Sequence, residues 1–228
     1  MQNWRCTVCG YIHVGDAPPD FCPECGAPAE FFEKVSEAPE EALPGPGRPV
    51  AAAPVTRPER KFAPLGPEEK RLAEPSMFKI SYGLYIVGSQ AGGRLNAQCA
   101  NTVVQITSDP LRVAIGINKQ NFTHGLISAS GVFSVGVLGQ DGHDLVHHFG
   151  YQSGHQVDKM QGMEYRLGRT GSPLVAGCLA YFEGEIIPEK CIDAGTHTLF
   201  VADVVSGEVL RDEEPMTYAY YRATRTRR

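Results

Sequence analysis

The chain has 228 residues, of which 42% are hydrophobic and 21% are charged. This is ordinary globular composition, and it excludes a collagen-like or wholly disordered chain. The net charge of −5 gives no electrostatic reason to expect a nucleic-acid partner. The longest uncharged, mostly apolar run, 174–182, is far shorter than the roughly 18 residues that a membrane span needs. Because the N-terminus also lacks an apolar leader, we expect a cytoplasmic protein without a membrane partner.

Four of the seven cysteines stand in two Cys-x-x-Cys pairs near the N-terminus. The first pair is Cys6 and Cys9, and the second is Cys22 and Cys25. In a reduced compartment such pairs indicate a metal site, because each pair directs two thiolates into one tetrahedron. So short a segment buries too little apolar surface to fold alone, which also favours a bound metal. Four thiolates suit either zinc or iron.

The same segment is dense in aromatic side chains that could shield a metal from water: Trp4, Tyr11, Phe21, Phe31 and Phe32. With its motifs WxCxxCGY and CPECG, it resembles a rubredoxin, in the shortened form that ends rubrerythrins. The resemblance implies a domain over residues 1–35 that holds one iron on the four cysteines and passes single electrons. A structural zinc ribbon is the alternative, because the gap between the cysteine pairs is shorter than in free-standing rubredoxins.

Residues 36–75 are rich in proline, with Ala, Glu and Arg between and few large apolar residues. Such a stretch cannot offset its own ordering entropy, so the composition predicts a linker. A flexible chain of about 40 residues spans roughly 35 Å, enough for one domain to visit another.

Residues 76–228 are predicted to form a second domain. Segments of β-branched and apolar residues predict six strands, at 84–89, 101–107, 111–118, 132–138, 179–187 and 198–210, and two short helices, at 123–130 and 141–151. In the fourth strand Phe133 and Val135 alternate with Ser134 and Gly136, which is typical of a strand with one buried face. Many short strands with few helices predict a mainly β fold, an antiparallel barrel or sandwich.

Three segments of this domain are candidate binding sites. The first, 118–124, ends a strand and opens a helix, so its free N–H groups beside Lys119 would suit a phosphate, unless Asn121 is a plain N-cap. The second, 96–102, is predicted as a loop whose unpaired amides face a flat polar ring or simply the solvent. The third contains His197 at a strand mouth, either as a ligand donor or as an ordinary exposed histidine.

Together these segments resemble the flavin reductase-like family, whose fold is an FMN-binding split β-barrel. The resemblance spans nearly all of residues 76–221. It implies that Ala97 to Thr102 lie along the isoalloxazine ring and ribityl chain, largely through their backbone. It also implies that Lys119, Thr123 and Lys159 hold the phosphate, and that His197, the candidate catalytic residue, lies near the nicotinamide of NAD(P)H. The residues implied to bind the cofactor are Asn96, Ala97, Gln98, Cys99, Ala100, Asn101, Thr102, Asn118, Lys119, Thr123, His124, Ser153 and Lys159.

A rubredoxin domain joined to such a barrel resembles the high-molecular-weight rubredoxin family, in which the rubredoxin commonly follows the barrel instead of preceding it. The resemblance implies a homodimer that passes electrons from NAD(P)H through FMN to iron, and then to a redox-protein acceptor such as a flavodiiron oxygen or nitric oxide reductase. Two alternatives remain open. One is a flavin reductase that releases reduced flavin and carries a structural zinc ribbon, and the other is an FMN and iron electron carrier without enzymatic activity.

Overall fold

The computed structural model describes residues 2–7, 11–22, 28–35 and 62–225. The chain divides between Pro64 and Leu65 into two compact units. This division falls within the predicted linker, 36–75, whose bounds stay a prediction. Its residues up to 61 lie outside the described residues, and its end belongs to the second unit.

A helix that the linker prediction did not foresee, α1 (Pro67–Met77), begins the second unit. Pro67 occupies the first helical position, where a proline loses no hydrogen bond. The carboxylate of Glu69 accepts a hydrogen bond from the Gly66 N–H at 2.8 Å, which satisfies one donor at the helix start. Proline therefore acts here as a helix initiator, whereas the composition had predicted only a linker.

The first unit contains a three-stranded antiparallel sheet in the order β2-β1-β3, formed by β1 (Gln2–Cys6), β2 (Ile12–Gly15) and β3 (Phe32–Val35). Trp4, Tyr11 and Phe32 pack with Cys6 and Cys22 in one small core. Two of the five predicted shielding aromatics are instead exposed, and for them the prediction is wrong: Phe21 and Phe31.

The second unit is built on an antiparallel sheet in the order β5-β4-β8-β11-β13-β7-β6, with β12 paired to β13. Its strands are β4 (Tyr85–Ala91), β5 (Arg94–Ala100), β6 (Val103–Thr107), β7 (Arg112–Asn118), β8 (Val132–Val137), β11 (Ala180–Ile186), β12 (Ile192–Asp193) and β13 (His197–Val209). A separate hairpin consists of β9 (Tyr165–Leu167) and β10 (Pro173–Val175), and three more helices are α2 (Phe122–Ser130), α3 (His143–Gly150) and α4 (Tyr218–Thr224). The mainly β, antiparallel prediction is confirmed.

The sheet curls around an apolar core. Val87 of β4, Ile115 of β7, Phe133 of β8 and Phe200 of β13 lie in a single buried cluster, although these strands are not all neighbours in the sheet. Strands that are distant along a sheet share a core only if the sheet bends back on itself. Helix α2 packs against β4, β5 and β7, so it lies between the two ends of the curled sheet.

The outer face of β8 is covered as well, which corrects the expectation of a single buried face. Ser134 and Gly136 are both buried. The Ser134 hydroxyl donates to the Pro173 carbonyl of β10 at 2.6 Å. A Cβ added to Gly136 would lie 2.5 Å from the Cys178 sulfur, so this position has no room for a larger side chain. The small residues reflect close packing rather than exposure.

Candidate functional site

The described part of the cysteine motif places two of its four thiols together. Cys6 ends β1 and is 0% exposed, and Cys22 is 2% exposed in the same small core. Cys9 and Cys25 lie outside the described residues. Two buried thiols beside three aromatic side chains fit the donor set of a metal site that is sheltered from water.

A cavity of about 350 Å³ opens in the second unit where β5, the start of α2 and the end of α3 meet. Six of the predicted cofactor residues contribute to its wall: Asn96, Gln98, Cys99, Thr123, Ser153 and Lys159. The fold thus brings together residues that are up to 63 positions apart in the sequence (159 − 96 = 63). This convergence makes the cavity the candidate cofactor site.

Segment 96–102 is mostly strand β5, not the predicted loop. Gly92 and Gly93, both with positive φ, form the two-residue turn that joins β4 to β5. Beyond such a turn, hydrogen-bonded and non-hydrogen-bonded residue pairs alternate along the two strands. Ala97 and Cys99 fall in non-hydrogen-bonded pairs, so their N–H groups point away from β4. Because β5 ends the sheet, a strand edge supplies the outward amides that were expected from a loop. The Gly-Gly pair was the sequence feature that could have predicted this hairpin.

One end of the cavity is held by a buried hydrogen bond. Asn96 Nδ2 donates to Thr123 Oγ1 at 2.8 Å, and Thr123 is 0% exposed. A Cβ added to Gly154 would lie 2.7 Å from Asn96 Oδ1, so only glycine lets the loop after α3 approach this closely. Asn121 is the N-cap residue of α2, which was the alternative to a phosphate site in the sequence analysis. Its side chain makes no capping hydrogen bond.

Two other side chains of the wall, Lys159 and Gln98, have fewer polar partners than buried polar groups usually have. Lys159 is only 3% exposed, and its ammonium donates to the Phe149 carbonyl at 3.0 Å. No carboxylate within the described residues forms an ion pair with it. Burial lowers the pKa of Lys159 to about 8 and raises that of the Cys99 thiol to about 12, while each partly offsets the other's shift. The buried Gln98 Oε1 has no hydrogen-bond partner in the described part of the chain.

A second cavity, of about 460 Å³, adjoins the first and shares Asn96, Phe122, Gly154 and Gln156 with it. The guanidinium of Arg94 lies 4.4 Å from the centre of the Phe122 ring, which is a cation–π distance. His155 meets the same ring edge-on, with the ring centres 5.2 Å apart. The two cavities together give an elongated recess along β5. The sequence indicated neither Arg94 nor His155 as a site residue. Only the folded chain brings both side chains against the Phe122 ring.

Four predicted residues lie together at another place, where β7 meets β13: Asn118, Lys119, His124 and His197. Lys119 Nζ forms an ion pair with Asp193 at 2.6 Å, and this pair holds the pKa of Asp193 below its usual value. His124 Nε2 lies 2.8 Å from the Thr198 hydroxyl, and burial, then Lys119, lowers its pKa. His197 is exposed and pairs across the ladder with Asn118.

The remaining predicted residues do not contribute side chains to the cavity wall. Ala97 is packed in the core beneath α3, and Ala100 packs against the core inside the curled sheet. Thr102 faces Gly116, where an added Cβ would lie 2.7 Å from its methyl group, and Asn101 accepts a hydrogen bond from the Thr102 hydroxyl at 3.3 Å. Their assignment to the cofactor site stays a prediction.

Comparison with protein families matches residues 77–227 to the flavin reductase like domain. The chain belongs to this family. Residues 4–33 match the rubredoxin-like domain of rubrerythrin. The chain is thus a flavin reductase-like protein with an N-terminal rubredoxin-like domain, as its motifs indicated.

Two relatives of this flavin reductase-like protein align over 148 residues at 45% identity, which is 64% of this chain. One is the ferric-chelate reductase (NAD(P)H) of Archaeoglobus fulgidus, of which the alignment covers 86%. The other is the high molecular weight rubredoxin of Moorella thermoacetica, of which it covers 64%. A crystal structure of an FMN-binding protein from Thermus thermophilus, with bound p-hydroxybenzaldehyde, is similar with a TM-score of 0.54 and 31% identity over 67% of this chain and 81% of that one.

The cavity fits the flavin that this fold binds. A flavin has a flat polar ring at one end and an anionic tail at the other. The recess offers an underpaired amide at Gln98, a buried ammonium at Lys159 and the N-terminus of α2. Each is a group that a polar or anionic ligand would satisfy.

Among the described residues, no helix is both long and apolar enough to cross a membrane.

Proposed function

We propose that this protein passes electrons from NAD(P)H through FMN to an iron held by Cys6, Cys9, Cys22 and Cys25, and from there to a separate redox protein. The observation that carries the proposal is the joining of a flavin reductase-like domain and a rubredoxin-like domain in one chain. A nicotinamide gives up two electrons as a hydride, whereas an iron on four thiolates accepts one electron. A bound flavin can accept two electrons at once and pass them on one at a time.

FMN is supported as the flavin by the Thermus FMN-binding relative and by the size of the recess. In this proposal the outward amides of β5 and Gln98 bind the ring. Asn96 and Thr123 keep β5 against α2 and so fix the width of the site. Phe149 and Gly150 exclude water from one wall. His197, at its exposed position on β13, contacts the nicotinamide only while NAD(P)H is bound.

Iron is supported over zinc by the match to a rubredoxin-like domain and by the packing of Trp4, Tyr11 and Phe32 around two of the thiols. Shielding from water matters more for a redox centre than for a structural one. A redox-protein partner follows from this centre, and a flavodiiron oxygen or nitric oxide reductase is the acceptor we propose. We also propose a homodimer, the form that the family resemblance implies, and a cytoplasmic location, which paired metal-binding cysteines favour.

The test is anaerobic rapid mixing of the purified chain with NADH or NADPH while flavin and ferric bands are followed. We expect the flavin absorbance to bleach first and the iron bands afterwards. Cys6→Ser should abolish the iron bands and leave flavin reduction intact, and Cys191→Ser, a cysteine far from the motif in sequence, should keep both. If the flavin bleaches and the iron stays oxidised, the internal transfer does not occur. Metal analysis that finds only zinc would favour the flavin-releasing alternative, and the absence of any turnover would favour the carrier.

A second candidate function is direct reduction of ferric chelates by the flavin domain. It is favoured by the 45% identity to the Archaeoglobus ferric-chelate reductase, because the alignment covers 86% of that protein. The two candidates differ in their need for the cysteine motif. Ferric-chelate reduction that survives in Cys6→Ser would assign the activity to the flavin domain, and its loss would assign it to the iron centre.

A further inference from the structure

We propose that Lys159 contacts the ring end of the flavin rather than its phosphate. This inference rests on the proposed function, because it takes the cavity beside β5 as the flavin site. It concerns which group of the cofactor each end of the cavity receives.

The two ends of the cavity are marked by residues of one strand. Asn96 and Cys99 are three positions apart on β5, which places them about 10 Å from each other. At the Asn96 end lie the first turn of α2, through the hydrogen bond to Thr123, and the closely packed Gly154. This end therefore offers the first turn and the positive pole of a nine-residue helix, in which the His124 N–H already donates to the Asn121 carbonyl at 3.0 Å.

Lys159 belongs to the opposite end. Its ammonium is bonded to the carbonyl of Phe149, and the next residue, Gly150, abuts Cys99 so closely that an added Cβ would lie 3.3 Å from the Cys99 Cβ. The reciprocal effects of Lys159 and Cys99 on each other's pKa agree with this proximity. Gln98, with its unpartnered Oε1, is the neighbour of Cys99 on the strand.

A phosphate can occupy only one end of this cavity, either the end at Asn96 and Gly154 or the end beside Lys159. The N-terminus of α2 is suited to it, because main-chain N–H groups and the helix dipole both favour an anion there. The other end then faces the ring, which carries a negative charge on its pyrimidine side after reduction at neutral pH. A buried ammonium stabilises such charge strongly because little water screens it. Lys159 would thus favour the reduced flavin over the oxidised one.

The test compares wild type with Lys159→Met in the full chain at pH 7. Fluorescence quenching gives the affinities for oxidised FMN and for riboflavin, which lacks the phosphate, and spectroelectrochemistry gives the midpoint potential of bound flavin. We expect the substitution to change both affinities by the same factor. It should lower the affinity for reduced flavin relative to oxidised flavin about tenfold, which is about 30 mV for a two-electron couple.

The opposite pattern would overturn the inference. If Lys159→Met weakens FMN binding at least tenfold and leaves riboflavin binding and the potential unchanged, Lys159 holds the phosphate and the proposed function still stands. If the wild-type chain binds neither flavin, the proposed function itself fails. Lys159→Gln provides a second neutral variant with a polar end, and circular dichroism shows which of the two variants is folded for the comparison.

Discussion

Glu183 is a buried carboxylate whose hydrogen bonds tie a surface turn to the sheet. It lies on β11 and accepts bonds from the Arg169 N–H at 2.8 Å, the Thr170 N–H at 2.8 Å and the Thr170 hydroxyl at 2.6 Å. These donors belong to the turn between β9 and β10, the hairpin that covers the outer face of β8. A single side chain therefore fixes the position of a whole hairpin.

We expect Glu183→Ala to lower the free energy of unfolding by about 3 kcal/mol, because three donors lose their acceptor in a buried place. Urea denaturation measures this. The matched control is Glu185→Ala, two residues along the same strand but exposed, which should change stability by less than about 0.5 kcal/mol. Equal effects of the two substitutions would contradict the role assigned to Glu183.

The buried ammonium of Lys159 predicts a pH dependence of stability in the flavin-free protein. Its pKa is lowered from 10.5 to about 8 by burial, so as pH rises the folded state loses this proton before the unfolded state does. Between these two values the unfolded state binds more protons, and stability must rise with pH. The Cys99 thiol stays neutral through this window, since its pKa is raised to about 12.

Relative to Lys159→Met, the flavin-free wild type should gain on the order of 2 kcal/mol in unfolding free energy from pH 8 to pH 10.5. Urea denaturation of both proteins across this range measures the difference, and the subtraction removes the effects of other titrating groups. A difference that is constant with pH would show that the ammonium is not desolvated.

At the scale of elements, the hairpin of β4 and β5 decides whether the cavity exists. The turn at Gly92 and Gly93 requires positive φ at both residues, with values of 56° and 77°. This turn sets the register that pairs Gly88 with Ala97 and Ile86 with Cys99. A shift by one residue would exchange the two faces of β5 and remove Asn96 and Gln98 from their places.

We expect Gly92→Ala to lower the free energy of unfolding by about 1 kcal/mol, because alanine is strained at positive φ. It should also weaken flavin binding, since β5 is a wall of the cavity. Gly92→Asn is the control, because asparagine tolerates this conformation better. Urea denaturation and flavin titration of the three proteins test this, and identical behaviour of the alanine and asparagine variants would refute the argument.

At the scale of the whole molecule, the two compact units each have a core of their own. The first depends on a few aromatic side chains and on Cys6 and Cys22, whereas the second has two larger apolar clusters. A unit with so small a core depends on its metal for folding. The larger unit has no such need.

We therefore expect Cys22→Ser to remove the metal and unfold the first unit, while the temperature at which the second unit releases flavin is unchanged. Flavin fluorescence during heating reports that temperature, and metal analysis reports the loss. A lower release temperature in the variant would show that the second unit also depends on the metal.

Local patterns predicted many strands because each depends on its own sequence. The alternation from Phe133 to Val135 identified β8, and the β-branched run after His197 identified β13. The prediction missed β5 because Asn96 and Gln98 make its segment look like a polar loop. These residues are polar because they border a cavity, and a cavity depends on contacts between distant segments.

The sequence by itself determined the two-part organisation and the four cysteines of the metal motif, because composition and short-range spacing carry that information. Its motifs also resembled the family to which the larger domain belongs. Only the tertiary structure decided which polar residues meet. It brought Lys159 to Cys99 and Thr123 to Asn96, and it paired Lys119 with Asp193 at another place. The reason is that side-chain burial and charge pairing depend on how strands and helices separated by many residues pack together, which no local pattern specifies.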